Sequence, residues 1–422
     1  MTLSHDAAVC LSESIVMRAG IADPAGDAPA RHRAHEGEGL DPGAWRAEIF
    51  TEPAAVMERW RALETRGGAT PFQTTVWFGT WMDTIGAAHG AEPLIVVIVD
   101  EAGTDRLLLP LVRRRLGGLL VVEFPDLGVA DYNAPVFDPE LAHQSESWAA
   151  VWAAVRTALP AGLVRFEKMP LTVEGSSNPL ARLHDAAPIE LQCFAVALPE
   201  TFEAYRADVL DPKIARELGE KRRRYQNRSR QVFGVVDNAA DAERVFAALV
   251  AQRKARFAAL GRAEILDDPV YHEFYRRLAV EHAADGFMVL SATEVLGEPA
   301  ACSYAVRHGG RIVQLLSSTE ENEWRRFSTG RLISDYTIEW AIEKGCDVFD
   351  FSIGDESYKL GFGARPAPMA RLEVALSPRG WPVVWRSRLA AFVRSRPALR
   401  AAARRLRGLV GRWGRRVSRK GR

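Results

Sequence analysis

From Trp45 onward the chain is a succession of short apolar blocks, and the period within each block separates helices from strands. "AAVMERWRALE" and "FQTTVWFGTWMDTIGAAHG" repeat apolar residues at helical spacing, and Gly90 can end the second. "EPLIVVIVD", "RLLLPLVRRRL" and "LLVVEF" are compact β-branched and leucine-rich runs that predict a pair of strands joined at "EAGTD" and then a third. A loop with Asp131, Tyr132 and Asn133 follows, in which Asp131 and Tyr132 are candidates for a cleft between lobes, with a plain loop role as the alternative. After it come the helix "WAAVWAAVRTAL", stopped by "PAG", and the strand "LVRFEKM". The second half runs through the same order at greater length. Its predicted helices are "YRADVLDPKIARELGEKRRRYQNRSR", "DAERVFAALVAQRKARFAAL" and "DPVYHEFYRRLAVEHAADG", the last closed by Gly286. "FMVLSATEV", "EPAACSYAVR" and "RIVQLLSS" then form a meander. In "GRLISDYTIEWAIEKG", Leu332, Ile333, Tyr336, Trp340 and Ala341 share one helical face and Gly345 ends it. The strand "DVFDFSI" completes the series. "PAGLVRFEKM" pairs with "EKGCDVFDFS" as a weak internal repeat, with chance similarity as the competing explanation.

Composition narrows the class. With 422 residues, 47% hydrophobic and 26% charged, the chain is expected to be a globular α/β (α+β) protein of two lobes. No apolar run approaches the roughly 18 residues of a membrane span, and the N-terminus lacks a basic-then-apolar export pattern. Cys10, Cys193, Cys302 and Cys346 are widely separated, which argues against a disulfide framework and for a cytoplasmic location. His272, His282 and His308 have no metal-ligand spacing, so no metal is expected. Residues 1–44, rich in Ala, Gly, Pro and His without periodicity, are expected to be a disordered leader.

Charge is uneven. The net value is +1, but from Ala375 to the end there are 15 Lys or Arg and no acid, leaving 40 basic against 54 acidic residues in the rest.

The segment "RRFSTGRLI" lies between a strand and a helix N-terminus. Ser328 or Thr329 can cap that helix, Gly330 permits close approach to the backbone, and Arg325, Arg326 and Arg331 add positive charge. Such a loop suits a pyrophosphate; the competing reading is a plain capped helix with solvated arginines.

The run "FSTGRLI…WAIEKGCDVFDFSIGDESYKLGFG" resembles the signature of the CelD/BcsL-type acetyltransferases of cellulose and other polysaccharide biosynthesis, within the GNAT acyltransferases. The closest matches are Phe327 to Leu332 and Phe349 to Gly363. The chain is more distantly similar to the Fem-type aminoacyl transferases, which carry two GNAT domains in tandem. The resemblance implies two tandem GNAT-like lobes, an N-terminal one over 45–190 and an acyltransferase lobe over 191–375, followed by a basic amphipathic tail over 376–422. It implies acyl-CoA, most simply acetyl-CoA, as donor, with its pyrophosphate held by Arg325, Arg326, Ser328, Thr329, Gly330 and Arg331. Strand alternation puts Val348, Asp350 and Ser352 on one face and the phenylalanines on the other, so Asp350 is expected to face a cleft or water. Amine acylation needs a base, and Asp350, Asp355 and Glu356 are the candidates. Tyr358 stands where a GNAT places a tyrosine near the sulfur. Lys359 is a candidate for orienting an anionic substrate or pairing with Asp355. A rigid salt-bridged turn is the competing account of "GDESYK".

Two basic regions remain. Eight Lys or Arg fall between Lys213 and Arg230, on either a solvated helix or a contact for an anionic acceptor or RNA. In the tail, Leu399, Ala402, Ala403, Leu406, Val410 and Trp413 share one face of a cationic amphipathic helix suited to the inner face of the plasma membrane, with docking on the acidic body as the rival. The expected activity is acyl transfer from acyl-CoA to an amine or hydroxyl of a cell-envelope or exopolysaccharide precursor, saccharide or lipid-linked. Nucleic acid is not the expected partner. The rivals are a Fem-like transferase that uses aminoacyl-tRNA and a non-catalytic scaffold of a polysaccharide-synthesis complex.

Overall fold

The computed structural model describes residues 45–143, 147–320, 323–354 and 357–396. The expected leader and the helix expected over 398–413 lie outside them, as do Asp355 and Glu356.

The first half comprises β1 (Arg46–Phe50), α1 (Met57–Arg66), α2 (Thr75–Trp81), β2 (Glu92–Val99), β3 (Asp105–Leu116), β4 (Leu119–Glu123), β5 (Val136–Phe137), α3 (Pro139–His143), α4 (Trp148–Ala158), β6 (Leu163–Pro170), β7 (Thr172–Val173), β8 (Ser176–Ser177) and β9 (Ala186–Ala197). The second half comprises α5 (Phe202–Ala204), α6 (Pro212–Ser229), β10 (Val232–Val235), α7 (Ala239–Ala259), α8 (Pro269–Glu281), β11 (Met288–Val295), β12 (Glu298–His308), β13 (Arg311–Thr319), α9 (Thr329–Glu343), β14 (Val348–Ile353), α10 (Tyr358–Gly361), β15 (Arg365–Ala375) and α11 (Trp381–Ser395). The helix expected across residues 205–230 is broken at Leu210. There the backbone becomes extended, Asp211 accepts from the N–H groups of Lys213 and Ile214, and Pro212 opens α6.

One mostly antiparallel sheet runs through both halves in the order β1-β2-β3-β4-β6-β15-β9-β14-β13-β12-β11-β10. The order reads alike from either end: each half supplies three antiparallel strands, then a parallel pair, β4 with β6 and β13 with β14. The internal repeat is therefore structural. At the centre the halves exchange strands, because β9 pairs with β14 and β15 pairs with β6. The boundary expected between residues 190 and 191 falls inside β9.

Helices α1, α2, α7 and α8 cover one face and share a core in which Trp77 meets Phe274 edge-on at 5.0 Å. On the other face α4 and α9 each build a separate core over their own half. Among the described residues no helix is long and apolar enough to cross a membrane.

Candidate active site

The parallel pair of the second half is short. Strands β13 and β14 are in register only from Arg311, Ile312 and Val313 to Val348, Phe349 and Asp350, after which they part. The opening leads toward the N-terminus of α9. Asp350 stands at the apex, and immediately beyond it β14 bulges, with Ser352 at φ +61° in the left-handed region. The first half repeats the device: β6 carries a bulge against β15 with Lys168 at φ +53°.

The two openings differ in what fills them. In the first half the loop after β4 ties itself across the end of β6. Lys168 donates to Asp126 and to the Ala130 carbonyl, while Asn133 donates to the Glu167 carbonyl at 2.9 Å. That same loop projects Asp131 and Tyr132 onto the apex of the second half. Tyr132 donates to Asp350 Oδ1 at 2.7 Å, and Ser352 donates through Oγ to Asp131 Oδ2. Arg311 donates to Asp350 Oδ2 at 2.9 Å and to Glu174 at 3.0 Å, and the Ser352 N–H reaches Asp350 Oδ1 at 2.7 Å.

This network sets the electrostatics. Asp350 is 2% exposed with both oxygens engaged, so the cleft or water expected before it is a buried junction between halves. Alternation still holds: Asp350 and Ser352 turn toward the first half, while Phe349 and Phe351 pack in the core under α9. Burial raises the Asp350 pKa, against the pull of Arg311 and Tyr132. Asp131 is only half-buried, and its pKa is pushed up to about 6, chiefly by desolvation, with Lys168 and the Ser352 bond opposing. Cys193 on β9 faces the same apex, and burial followed by the Asp350 charge pushes its thiol up to about 11, which keeps it protonated near neutrality.

At the open end, Ser328 has φ +56° and occupies the N-cap position of α9, but its hydroxyl does not cap the helix. It accepts instead from Lys221 of α6 at 2.7 Å. Lys221 also pairs with Glu217, which lies 3.6 Å from Arg331. Thr329 is buried, Gly330 is half-buried, and a Cβ at Gly330 would sit 3.1 Å from Thr319 Cγ2 on β13. Arg326 lies over the Phe327 ring at 5.0 Å, and Arg325 belongs to the helical turn Glu323–Phe327. The loop expected to take the pyrophosphate thus gains a cation, Lys221, from a helix 107 residues earlier.

Tyr358 packs against Phe351 and Phe362 on the α9 side of β14. Lys359 is 3% exposed and donates to the Ile353 carbonyl at 2.9 Å, which ties it to the turn after β14. Among the described residues no group of three or more His, Cys, Asp or Glu is arranged to hold a metal ion. From the sequence, Asp131 and Tyr132 were candidates for the cleft between lobes as much as for a plain loop. Nothing local marks them as partners of β14, more than 200 positions away.

Residues 212–360 match the family model described as an acetyltransferase (GNAT) domain, the segment from α6 through α10. No curated protein matches the chain. Among solved structures it is similar to FemX, with TM-score 0.58 and 10% identity over 80% of this chain and 99% of that one. It is also similar to L-PGS from Bacillus licheniformis, with TM-score 0.47 and 12% identity over 80% and 97% of the two chains. A tandem GNAT protein from the clavulanic acid biosynthesis pathway matches with TM-score 0.40 and 10% identity over 79% and 99%. The chain has the GNAT-type mixed α/β fold, and the matched domain supports an acyltransferase.

Proposed function

We propose that the protein transfers an acyl group, most simply acetyl, from acyl-CoA to an amine or hydroxyl of a cell-envelope or exopolysaccharide precursor, in keeping with the resemblance of Phe349–Gly363 to the CelD/BcsL-type enzymes. The observation that carries this reading is the β13–β14 pair, which is bonded for three residues and then opens toward the N-terminus of α9. A thioester donor lying in the opening has its pyrophosphate by Lys221, Ser328, Gly330 and Arg331, where helix N–H groups and cations favour an anion. Its carbonyl carbon then approaches the apex. The acceptor nitrogen or oxygen bonds to that carbon, its proton passes to Asp131, and the C–S bond breaks to release thiolate, which takes a proton from Tyr358. Asp131 is assigned as base over Asp350 because it is only half-buried and its pKa is pushed up to about 6. Asp350 is a positioning residue for Tyr132, Arg311 and Ser352.

The test is calorimetry with acetyl-CoA and longer acyl-CoAs. Binding by the wild type that Gly330→Trp abolishes is the expected result, since the new side chain starts against Thr319 at the mouth of the opening. Failure of every acyl-CoA to bind overturns the reading. A second prediction separates the cations from their internal partner. Lys221→Ala is expected to weaken donor binding about tenfold through one lost charge-assisted contact. Glu217→Gln is expected to tighten it, because Lys221 and Arg331 are then released to the phosphate. Equal affinities in all three proteins would remove Lys221 from the donor site.

One observation favours a second reading, a Fem-like transferase using aminoacyl-tRNA. Of the basic residues between Lys213 and Arg230, Lys213, Arg216, Arg223, Arg224, Arg228 and Arg230 are exposed along α6, the helix whose Lys221 reaches Ser328, a surface suited to a polyanion. Ribonuclease-sensitive activity would select it.

A further inference from the structure

The described surface carries eight exposed large apolar side chains, and four of them, Trp381, Trp385, Leu389 and Phe392, belong to the single helix α11. Spacings of four, four and three gather them into one stripe, and each is between 46% and 68% exposed. The helix is held by its other side. Val384, 2% exposed, packs on Val121 and Leu163 at the closed end of the first-half parallel pair, and the Ser387 carbonyl accepts from Arg371 at 3.5 Å. The stripe is therefore presented outward by a helix that is already docked.

Charge identifies what covers it. At 3.6 residues per turn Arg386 and Arg388 fall on opposite flanks of the stripe, both are exposed, and Arg396 stacks its guanidinium over Phe392 at 4.1 Å. No acidic residue occurs from Ala375 onward, while the residues before it carry 54 acids against 40 bases. An anionic surface would attract this end and repel the rest, which orients the molecule. Two tryptophans among apolar neighbours with flanking arginines match the depth profile of a bilayer interface, where indole rings sit at headgroup level and guanidinium groups meet phosphate.

We propose that α11 is an interfacial membrane helix. Trp381, Trp385, Leu389 and Phe392 enter the headgroup–acyl boundary of an anionic bilayer, and Arg386 and Arg388 bind its phosphates. This surface lies within the basic tail read over 376–422 but is distinct from the helix expected over 398–413, and its test does not depend on the acyl-transfer chemistry.

The full-length chain is to be sedimented with vesicles of phosphatidylcholine alone and of phosphatidylcholine with about a third phosphatidylglycerol, a composition that supplies the negative surface potential. Wild type is expected in the pellet with the anionic vesicles and mostly in the supernatant with the neutral ones. Trp385→Asp/Leu389→Asp is expected to lower partitioning about a hundredfold, from lost apolar burial, and Trp385→Ala about tenfold. Arg386→Gln/Arg388→Gln should lower it roughly twentyfold, and only on the anionic vesicles. All these positions are exposed, and far-ultraviolet circular dichroism matching wild type checks the fold. The proposal is overturned if the double aspartate variant pellets like wild type, which would leave attachment to residues after 396. It is equally overturned if wild type ignores both vesicles. A wild-type dimer that the aspartate pair converts to monomer would then make a second copy of the chain the occupant.

Discussion

Asp350→Ala is expected to destabilise the fold by about 3–5 kcal/mol, the range for removing one partner of a buried ion pair. The variant leaves Arg311 facing the apex without its nearest anion, strips Tyr132 of the acceptor for its hydroxyl, and frees the Ser352 N–H. The Tyr132 bond joins β14 to a loop of the first half, and Arg311, held by Asp350, reaches Glu174 in the β7–β8 hairpin of that half, so the loss loosens the junction between halves. Burial opposes the charge on Arg311, and Asp350 with Glu174 sustains it, raising its pKa above the ordinary value. Arg311→Met should cost a comparable amount. The double variant Asp350→Leu/Arg311→Met should recover most of the loss, because neither charge is then buried alone. Equilibrium urea denaturation of the four proteins reads this directly. A cost below about 1 kcal/mol for Asp350→Ala would mean that water enters the junction and screens Arg311.

Asp131→Asn is expected to lower kcat by about two to three orders of magnitude, the usual contribution of a positioned general base. In the wild type, kcat/KM should fall on the acid side of about pH 6 as the Asp131 carboxylate is protonated. In the variant that limb should vanish. Stability moves the other way. The folded pKa is raised above the unfolded value of about 3.9, so the folded state binds the proton more tightly. The cost of burying the charge is fully present above pH 6 and fades as pH falls toward 4. Asp131→Asn should therefore be the more stable protein at pH 7, and its advantage should shrink across that window. An acid limb that survives in the variant would move the base elsewhere, with Asp355 and Glu356 the next candidates from the sequence.

Comparison with the sequence separates two kinds of information. Helices and strands whose period is written in neighbouring residues were legible: α1, α4, α7, α8 and α9, the meander β11–β12–β13, and β14 ending in glycine. So was the weak repeat, which appears as a sheet whose strand order mirrors about its centre. The loop before α9 could be singled out as a candidate anion site because helix geometry alone puts N–H groups there. Strands β9 and β15 were not. "RPAPMARLEVA" carries two prolines that argue against a central strand, and "AAPIELQCFAVA" leaves every other side chain partly exposed along much of its length. Each is stabilised by the other half of the molecule, through pairings more than 150 residues apart such as Val348 with Ala197 and Arg365 with Ala195.

The candidate site divides along the same line. Asp350 and Ser352 could be placed on one face by alternation, a local rule. That this face is sealed by Tyr132, Asp131 and Arg311, and that Lys221 reaches Ser328, depends on the strand exchange and on the packing of α6 against α9. The outward stripe of α11 is likewise a tertiary fact, since the same spacing in a sequence would serve equally to bury the helix. Local period and helix-end chemistry, both carried by residues within a few positions of each other, determined the elements and the place of the loop proposed to hold the donor. Burial, charge pairing and exposure arise only when distant segments meet, and for that reason the tertiary structure alone decided which carboxylate is only half-buried and which apolar face stays exposed.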